Sequence, residues 1–238
     1  MTTQKTSKVC IYVMTGDSGL APNPFHGTCT LAICTPNHMR ANLNQGDLIV
    51  GIAGVNLGKK LKQPDDQRRL VYAMKIDKRM TMNDYYNDAE YKLKIPKKSG
   101  SKIEMCGDNF YREKNEQQNE EIIHTRETEE HQGKKIEEQD CRGNRVFIGK
   151  NFYYFGSCAL KIPQASKWGE ILLRQVENKS KGISYIYGRA IKSPWTACHL
   201  EDFMNYLNAN KIDPIPDPID FDNWKSAPAL RSSCAISA

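Results

Sequence analysis

The stretch Asp17–Leu57, DSGLAPNPFHGTCTLAICTPNHMRANLNQGDLIVGIAGVNL, decides how the chain is read. It opens as a loop crowded with Gly, Pro, Asn and His, where Pro22-Asn23-Pro24 forbids regular structure. Gly27 ends that loop, and Thr28–Thr35 (TCTLAICT) continues as an apolar strand stopped by Pro36. A short polar helix is expected around His38 to Asn44, with Gly46 as its stop. Asp47–Val55 (DLIVGIAGV) then reads as a buried strand in which Gly51 and Gly54 lack side chains. Glycines inside a strand mark a bulge, or a backbone that something else approaches closely. A polar loop held between two apolar strands is where binding chemistry concentrates.

Upstream, Lys8–Thr15 (KVCIYVMT) reads as a central strand. Downstream come a basic polar loop or hairpin (Asn56–Arg69), a strand (Leu70–Asp77) and a helix carrying tyrosines (Met80–Tyr91). Local pairings with short helices between them indicate α+β rather than a wound parallel sheet. From Glu113 to Asp140 large apolar residues nearly vanish, so residues 92–144 read as a polar insertion. Strands return over Arg145–Pro163, where Phe152 and Tyr154 point to one face and Tyr153 and Phe155 to the other. Trp168, Ile171, Leu172 and Val176 recur at helical spacing in Ala165–Asn178, as do Leu200, Phe203, Met204 and Leu207 in Thr196–Asn210. Ile183–Ala190 between them reads as a strand. The expected organisation is one domain, 1–238, with core strands in 8–91 and 145–190, the insertion, and a C-terminal helix and irregular tail over 191–238.

At 238 residues the chain can bury a sizeable core. No apolar run approaches the roughly 18 residues a membrane helix needs. The N-terminus is polar, without a secretory signal, so a cytoplasmic protein is expected. Eight cysteines without a C-x-x-C pair read as reduced and mostly buried. A zinc site from Cys29, Cys34, Cys198 and His199 lacks ligand spacing, so neither metal nor cofactor is expected. A formal charge of +6 favours anionic partners, nucleic acid foremost. Walker, dinucleotide, zinc-protease and nucleophile-elbow motifs are absent, which removes the commonest enzyme classes.

Asp17, Asn23 and His26, with Arg40 and Asn42 nearby in sequence, offer a carboxylate, amides, an imidazole and a guanidinium. Such groups hydrogen-bond a base edge and a phosphate. Asp17 and His26 could equally form an acid–base pair, with Cys29 or Cys34 as nucleophile. Alternatively, Asp17 and Asn23 cap their own loop and Arg40 pairs with an acid. Tyr154 could stack a base or belong to the core. Lys59, Lys60 and Arg68 could track phosphates or merely solubilise the surface.

The motifs D-S-G-x-A-P-N-P-F (from Asp17), C-T-L-A-I-C-T-P-x-x-x-R (from Cys29), G-D-L-I-V-G, L-V-Y-A-M-K-I and F-Y-Y-F-G together resemble the nucleotide modification associated domain 2 family, over about Val9 to Pro163. That resemblance implies a place in the DNA base modification systems of bacteria and phages. A weaker resemblance is to the EVE, ASCH and YTH group of PUA-like domains. It implies a twisted β-barrel binding a modified or flipped base, with Arg40 to Asn42 matching an Arg-Asn segment despite the intervening Ala41. The resulting expectation is a PUA-like α+β protein that binds nucleic acid, DNA foremost, or a nucleotide, in phage or bacterial defence. Asp17, Asn23, Arg40 and Asn42 would contact the base and Tyr154 would stack on it. The alternatives are an enzyme acting on a nucleotide or modified DNA base, and a protein-interaction module.

Overall fold

Val9–Met14 (β1) is apolar because both of its faces are covered. Cys10 and Met14 face one core, and Val9, Ile11 and Val13 the other. The computed structural model describes residues 7–33, 42–61, 68–97, 99–111, 143–179, 182–187 and 194–224. After β1 come β2 (Cys29–Leu31), β3 (Leu48–Ala53), α1 (Val55–Gly58), β4 (Arg69–Lys75) and β5 (Lys78–Met80). Next are α2 (Met82–Asn87), a 3-10 turn (Ala89–Lys94) and α3 (Lys102–Met105). The chain continues with β6 (Val146–Gly149), β7 (Phe152–Tyr154), β8 (Leu160–Lys161), α4 (Lys167–Val176), β9 (Gly182–Tyr187) and α5 (Ala197–Ala209).

The larger, six-stranded sheet runs β7-β4-β3-β1-β9, with β8 also paired to β4. Only β1 and β3 among its described pairs are parallel, from Val9 opposite Leu48 to Met14 opposite Ala53. Helices α4 and α5 cover one face with Trp168, Leu172, Val176, Phe203 and Leu207. Ser166 caps α4 by accepting from the Gly169 N–H, and Thr196 with His199 forms a capping box on α5. The other face packs Tyr72, Met74 and Tyr154 against Cys29, Leu31 and Phe147 of a smaller sheet, β2-β6-β5.

The expected α+β architecture is present, but the described strands do not close the expected PUA-like barrel. β7 and β9 end opposite edges of the large sheet and do not pair. A sheet sandwiched between helices and a second sheet is already buried on both faces and need not curl on itself. Gly51 behaves as its sequence context suggests. The register shifts beside it, and a Cβ there would lie 2.4 Å from the Tyr72 ring. Residues 34–41, holding most of the expected His38 helix, lie outside the described residues, and Asn42–Asn44 are irregular. The basic loop after Val55 begins instead as α1. No described helix is long and apolar enough to cross a membrane.

Residues 92–144 were expected as a solvated insertion, yet their first part is core. Lys94, Met105, Cys106, Asp108, Asn109, Phe110 and Tyr111 are all buried. Residues 112–142 lie outside the described residues. Residues 225–238 of the proline-rich tail lie outside the described residues; its described part is irregular apart from a 3-10 turn at Phe221–Asn223, and it turns back over the loop that follows β1. The Asp217 carbonyl accepts from the Ser157 N–H at 2.8 Å. Gly156 permits that contact: its φ is +43°, and a Cβ would stand 2.4 Å from the Asp217 oxygen. Gly156→Ala therefore loosens the tail and destabilises the fold by about 1–3 kcal/mol. The check is a lower urea midpoint at unchanged slope; an unshifted midpoint would show that the tail is not held there.

Candidate functional site

The loop leaving β1 buries Asp17, which is 1 % exposed. Its Oδ1 accepts from the Tyr154 hydroxyl at 2.7 Å, and its Oδ2 from the Ile219 N–H at 3.1 Å. The Asp17 N–H donates to Asp220 Oδ2 at 3.0 Å, and the Asp220 N–H donates to the Asp17 carbonyl at 2.7 Å. Burial pushes the Asp17 carboxyl up to about 6, against the pull of the Tyr154 and Ile219 hydrogen bonds. Lys60 Nζ reaches the other oxygen of Asp220 at 2.7 Å.

Beneath the same loop lies Lys94, 1 % exposed. Its ammonium donates to the Asn23 carbonyl (3.1 Å), Asn23 Oδ1 (2.8 Å), the Thr28 carbonyl (2.9 Å) and Thr30 Oγ1 (3.0 Å). Thr30 passes the interaction on, its hydroxyl donating to Asp108 Oδ2 at 2.6 Å. Asp108 Oδ1 accepts from the Tyr85 hydroxyl at 2.8 Å. Burial lowers Lys94 to about 8 and raises Asp108, while each charge favours the ionised form of the other. The Thr28 hydroxyl, also buried, has no hydrogen-bond partner among the described residues.

These two networks absorb several of the expected contacts. Asn23 holds Lys94 through its carbonyl oxygens, and its Nδ2 donates to the Cys106 carbonyl at 3.0 Å. Tyr154, expected to stack on a base, is 3 % exposed and bonded to Asp17. Arg68, expected at a phosphate, donates to the carbonyls of Ala53, Val176 and Lys179 and so ties the end of α4 to the sheet. It also borders a cleft of about 620 Å³ shared with Val55, Ile162 and Arg174. His26 is exposed at the loop tip with φ +60°, its imidazole held below its ordinary range by desolvation and by Lys94. Lys59 is exposed, and Lys60 pairs with Asp220.

Asn42 stands apart from this group. Its carbonyl accepts from Lys8 Nζ at 3.1 Å, where β1 begins, whereas Asp17 follows the end of β1. A six-residue strand spans about 17 Å, so the fold separates the two. Arg40 and Cys34 lie outside the described residues. Cys29 is fully buried with its thiol pushed up by desolvation, which suits packing rather than nucleophilic attack. Of the described free cysteines, Cys10, Cys29 and Cys106 are buried, as expected of most of them, while Cys158 and Cys198 are exposed. The His199 Nδ1 accepts from the Thr196 N–H rather than facing Cys29. Asp108 and Asp220 were missed. The run Cys106–Tyr111 (CGDNFY) carried the signal, apolar at both ends with acid and amide between them.

The family described as nucleotide modification associated domain 2 matches residues 6–223, and the chain belongs to it. No curated protein and no solved structure matches the chain.

Lys94→Met strips the buried Asp108 of its counter-charge, which destabilises by about 3–5 kcal/mol. Adding Asp108→Asn recovers part of that loss, and a chemical-denaturation double-mutant cycle measures the coupling. Additive losses would show that the two charges do not communicate through Thr30. Asp17 yields a pH signature. Its folded carboxyl titrates at about 6, and an unfolded one near 4. Its contribution is therefore full below about pH 4 and falls away as pH rises to about 6. The stability of wild type relative to Asp17→Asn should drop by about 2–3 kcal/mol between pH 4 and 7. A constant difference would contradict the raised carboxyl.

Proposed function

From membership of the nucleotide modification family, we propose that the protein binds nucleic acid, DNA foremost, and recognises a modified or extruded base in a phage or bacterial modification or defence system. One observation carries this reading: Asp17, Phe25 and Lys60 gather at the carboxyl end of the parallel β1–β3 pair, drawn together by Asp220 and Phe221. The Asp17–Thr28 loop leaves β1 there, and Lys59 and Lys60 follow α1 beyond β3. Open sheets bind ligands, phosphates included, in the loops beyond the carboxyl ends of their parallel strands. The formal charge of +6 favours such a partner.

A second reading, catalysis on a nucleotide or modified base, is favoured by the Asp17 carboxyl itself. Held at about 6 and 2.7 Å from the Tyr154 hydroxyl, it is suited to proton transfer near neutral pH. The depressed His26 imidazole is a neutral base under the same conditions.

Titration against single- and double-stranded DNA, with and without modified bases and at two salt concentrations, separates these readings. The reader binds modified DNA more tightly and salt-sensitively, and Lys60→Ala lowers the salt slope by about 1. Product formed in the same tubes and abolished by Asp17→Asn, with binding kept, would mark an enzyme. Failure to bind any nucleic acid or nucleotide would overturn both and leave a protein-interaction module.

A further inference from the structure

The segment Asp217–Trp224 (DPIDFDNW) lies across this same end of the molecule, and its chemistry is that of a nucleotide. The Phe221 ring stacks on Phe25, with centroids 5.7 Å apart and planes inclined by 27°. Lys102 Nζ stands 5.4 Å from the centre of the Phe221 ring. Asp220 pairs with Lys60 at 2.7 Å, and Asp222 pairs with Lys102 at 2.5 Å. A ring flanked by two carboxylates is thus held by an aromatic ring and two ammonium groups. Stacking platforms edged by lysines hold a base and its phosphates in the same way.

Resting on the reading that the protein binds a nucleotide, we propose that Phe25, Lys60 and Lys102 form its nucleotide subsite. Phe221, Asp220 and Asp222 occupy that subsite until a nucleotide displaces them. The incoming base takes the place of the Phe221 ring on Phe25, and phosphate oxygens take the places of the two carboxylates. The Lys102–Asp222 pair is accessible, with side chains 41 % and 100 % exposed, whereas in the other pair Lys60 is 52 % exposed but Asp220 only 8 %, so that pair opens only as the segment lifts. An exposed ion pair such as Lys102–Asp222 exchanges readily, and a phosphate brings more charge and more acceptor oxygens than a carboxylate. Displacement also breaks the two Asp17–Asp220 hydrogen bonds and the bond from Trp224 Nε1 to the Ser18 carbonyl. The Asp217 carbonyl on Ser157 and the Ile219 N–H on Asp17 stay as the anchor. The closed segment therefore competes with the ligand, and loosening it strengthens binding.

The test titrates the full chain with 2′-deoxyadenosine 5′-monophosphate and with a single-stranded oligodeoxynucleotide, following affinity and tryptophan emission. Asp222→Asn binds several-fold tighter than wild type, Lys102→Ala several-fold weaker, and Asp222→Asn adds nothing in the Lys102→Ala background. Binding shifts the emission of Trp224, and Trp224→Phe removes that shift. A response to the mononucleotide or to the strand alone supports the subsite and identifies its source. The exposed positions of Lys102 and Asp222 keep folding out of the comparison. Equal affinities in all variants, or binding with Trp224 undisturbed, would overturn the subsite and leave nucleotide recognition standing elsewhere on the protein. No binding of either probe by any variant would overturn the nucleotide reading as well.

Discussion

Lys94 imposes the constraint on which the candidate site depends. An ammonium taken out of water loses several kcal/mol of hydration, and only hydrogen bonds and a counter-charge can offset that loss. Both are supplied, but unevenly. Its direct acceptors are uncharged oxygens of Asn23, Thr28 and Thr30, and the carboxylate of Asp108 lies one hydroxyl beyond. Three of these acceptors belong to the loop and not to the strand. The loop's conformation from Asn23 to Thr28 is therefore fixed by the need to solvate one lysine. The backbone pair between Asn23 and Thr30, at 2.8 and 2.9 Å, closes the loop on itself around that need.

The consequences run outward to both sides. Asn23 Nδ2 reaches the Cys106 carbonyl, and Cys106 packs with Phe25 and Phe221, so the ammonium's requirements set where the Phe25 ring stands. On the other side Asp17 is held between Tyr154 of β7 and the returning tail. Replacing a buried ion pair by apolar side chains is often neutral or stabilising, so Lys94 and Asp108 are not explained by stability alone. Their effect is to give a Gly- and Pro-rich loop one geometry.

The order of strands and helices was legible wherever burial is local in sequence. VCIYVM and LIVGIA read as doubly buried strands, the Trp168–Val176 and Phe203–Leu207 spacings read as helices, and Gly51 marked a close approach that proved to be the Tyr72 ring. The alternation of Phe152–Phe155 was also legible, because strand period depends only on neighbouring residues. The site was legible only as a loop. Asn42 was grouped with Asp17 by proximity in sequence, yet a strand's length lies between them. Lys94 and Asp108 were absorbed into a polar insertion, since a charge whose partner is contributed from another part of the chain looks like a solvated charge. Asp220 lies 203 residues from the Asp17 N–H it accepts, and nothing local announces such a pairing.

The parallel β1–β3 pair divides these roles between its two ends. At the amino end the Asp47 carboxylate accepts from the Lys8 and Asn44 N–H groups, both at 2.8 Å, and ties the strand starts together. At the carboxyl end the outermost contacts are lysine–carboxylate pairs, some open to water, laid over the buried Asp17 and Lys94 networks. Removing a contact at the amino end would leave a buried acceptor or donor unsatisfied, which costs about 1–3 kcal/mol. Exchanging one at the carboxyl end leaves each lysine with another anion as its partner. Among the described residues, the contacts most open to exchange with a charged ligand therefore lie at the carboxyl end of these two strands, and the ones that fix the scaffold at the amino end.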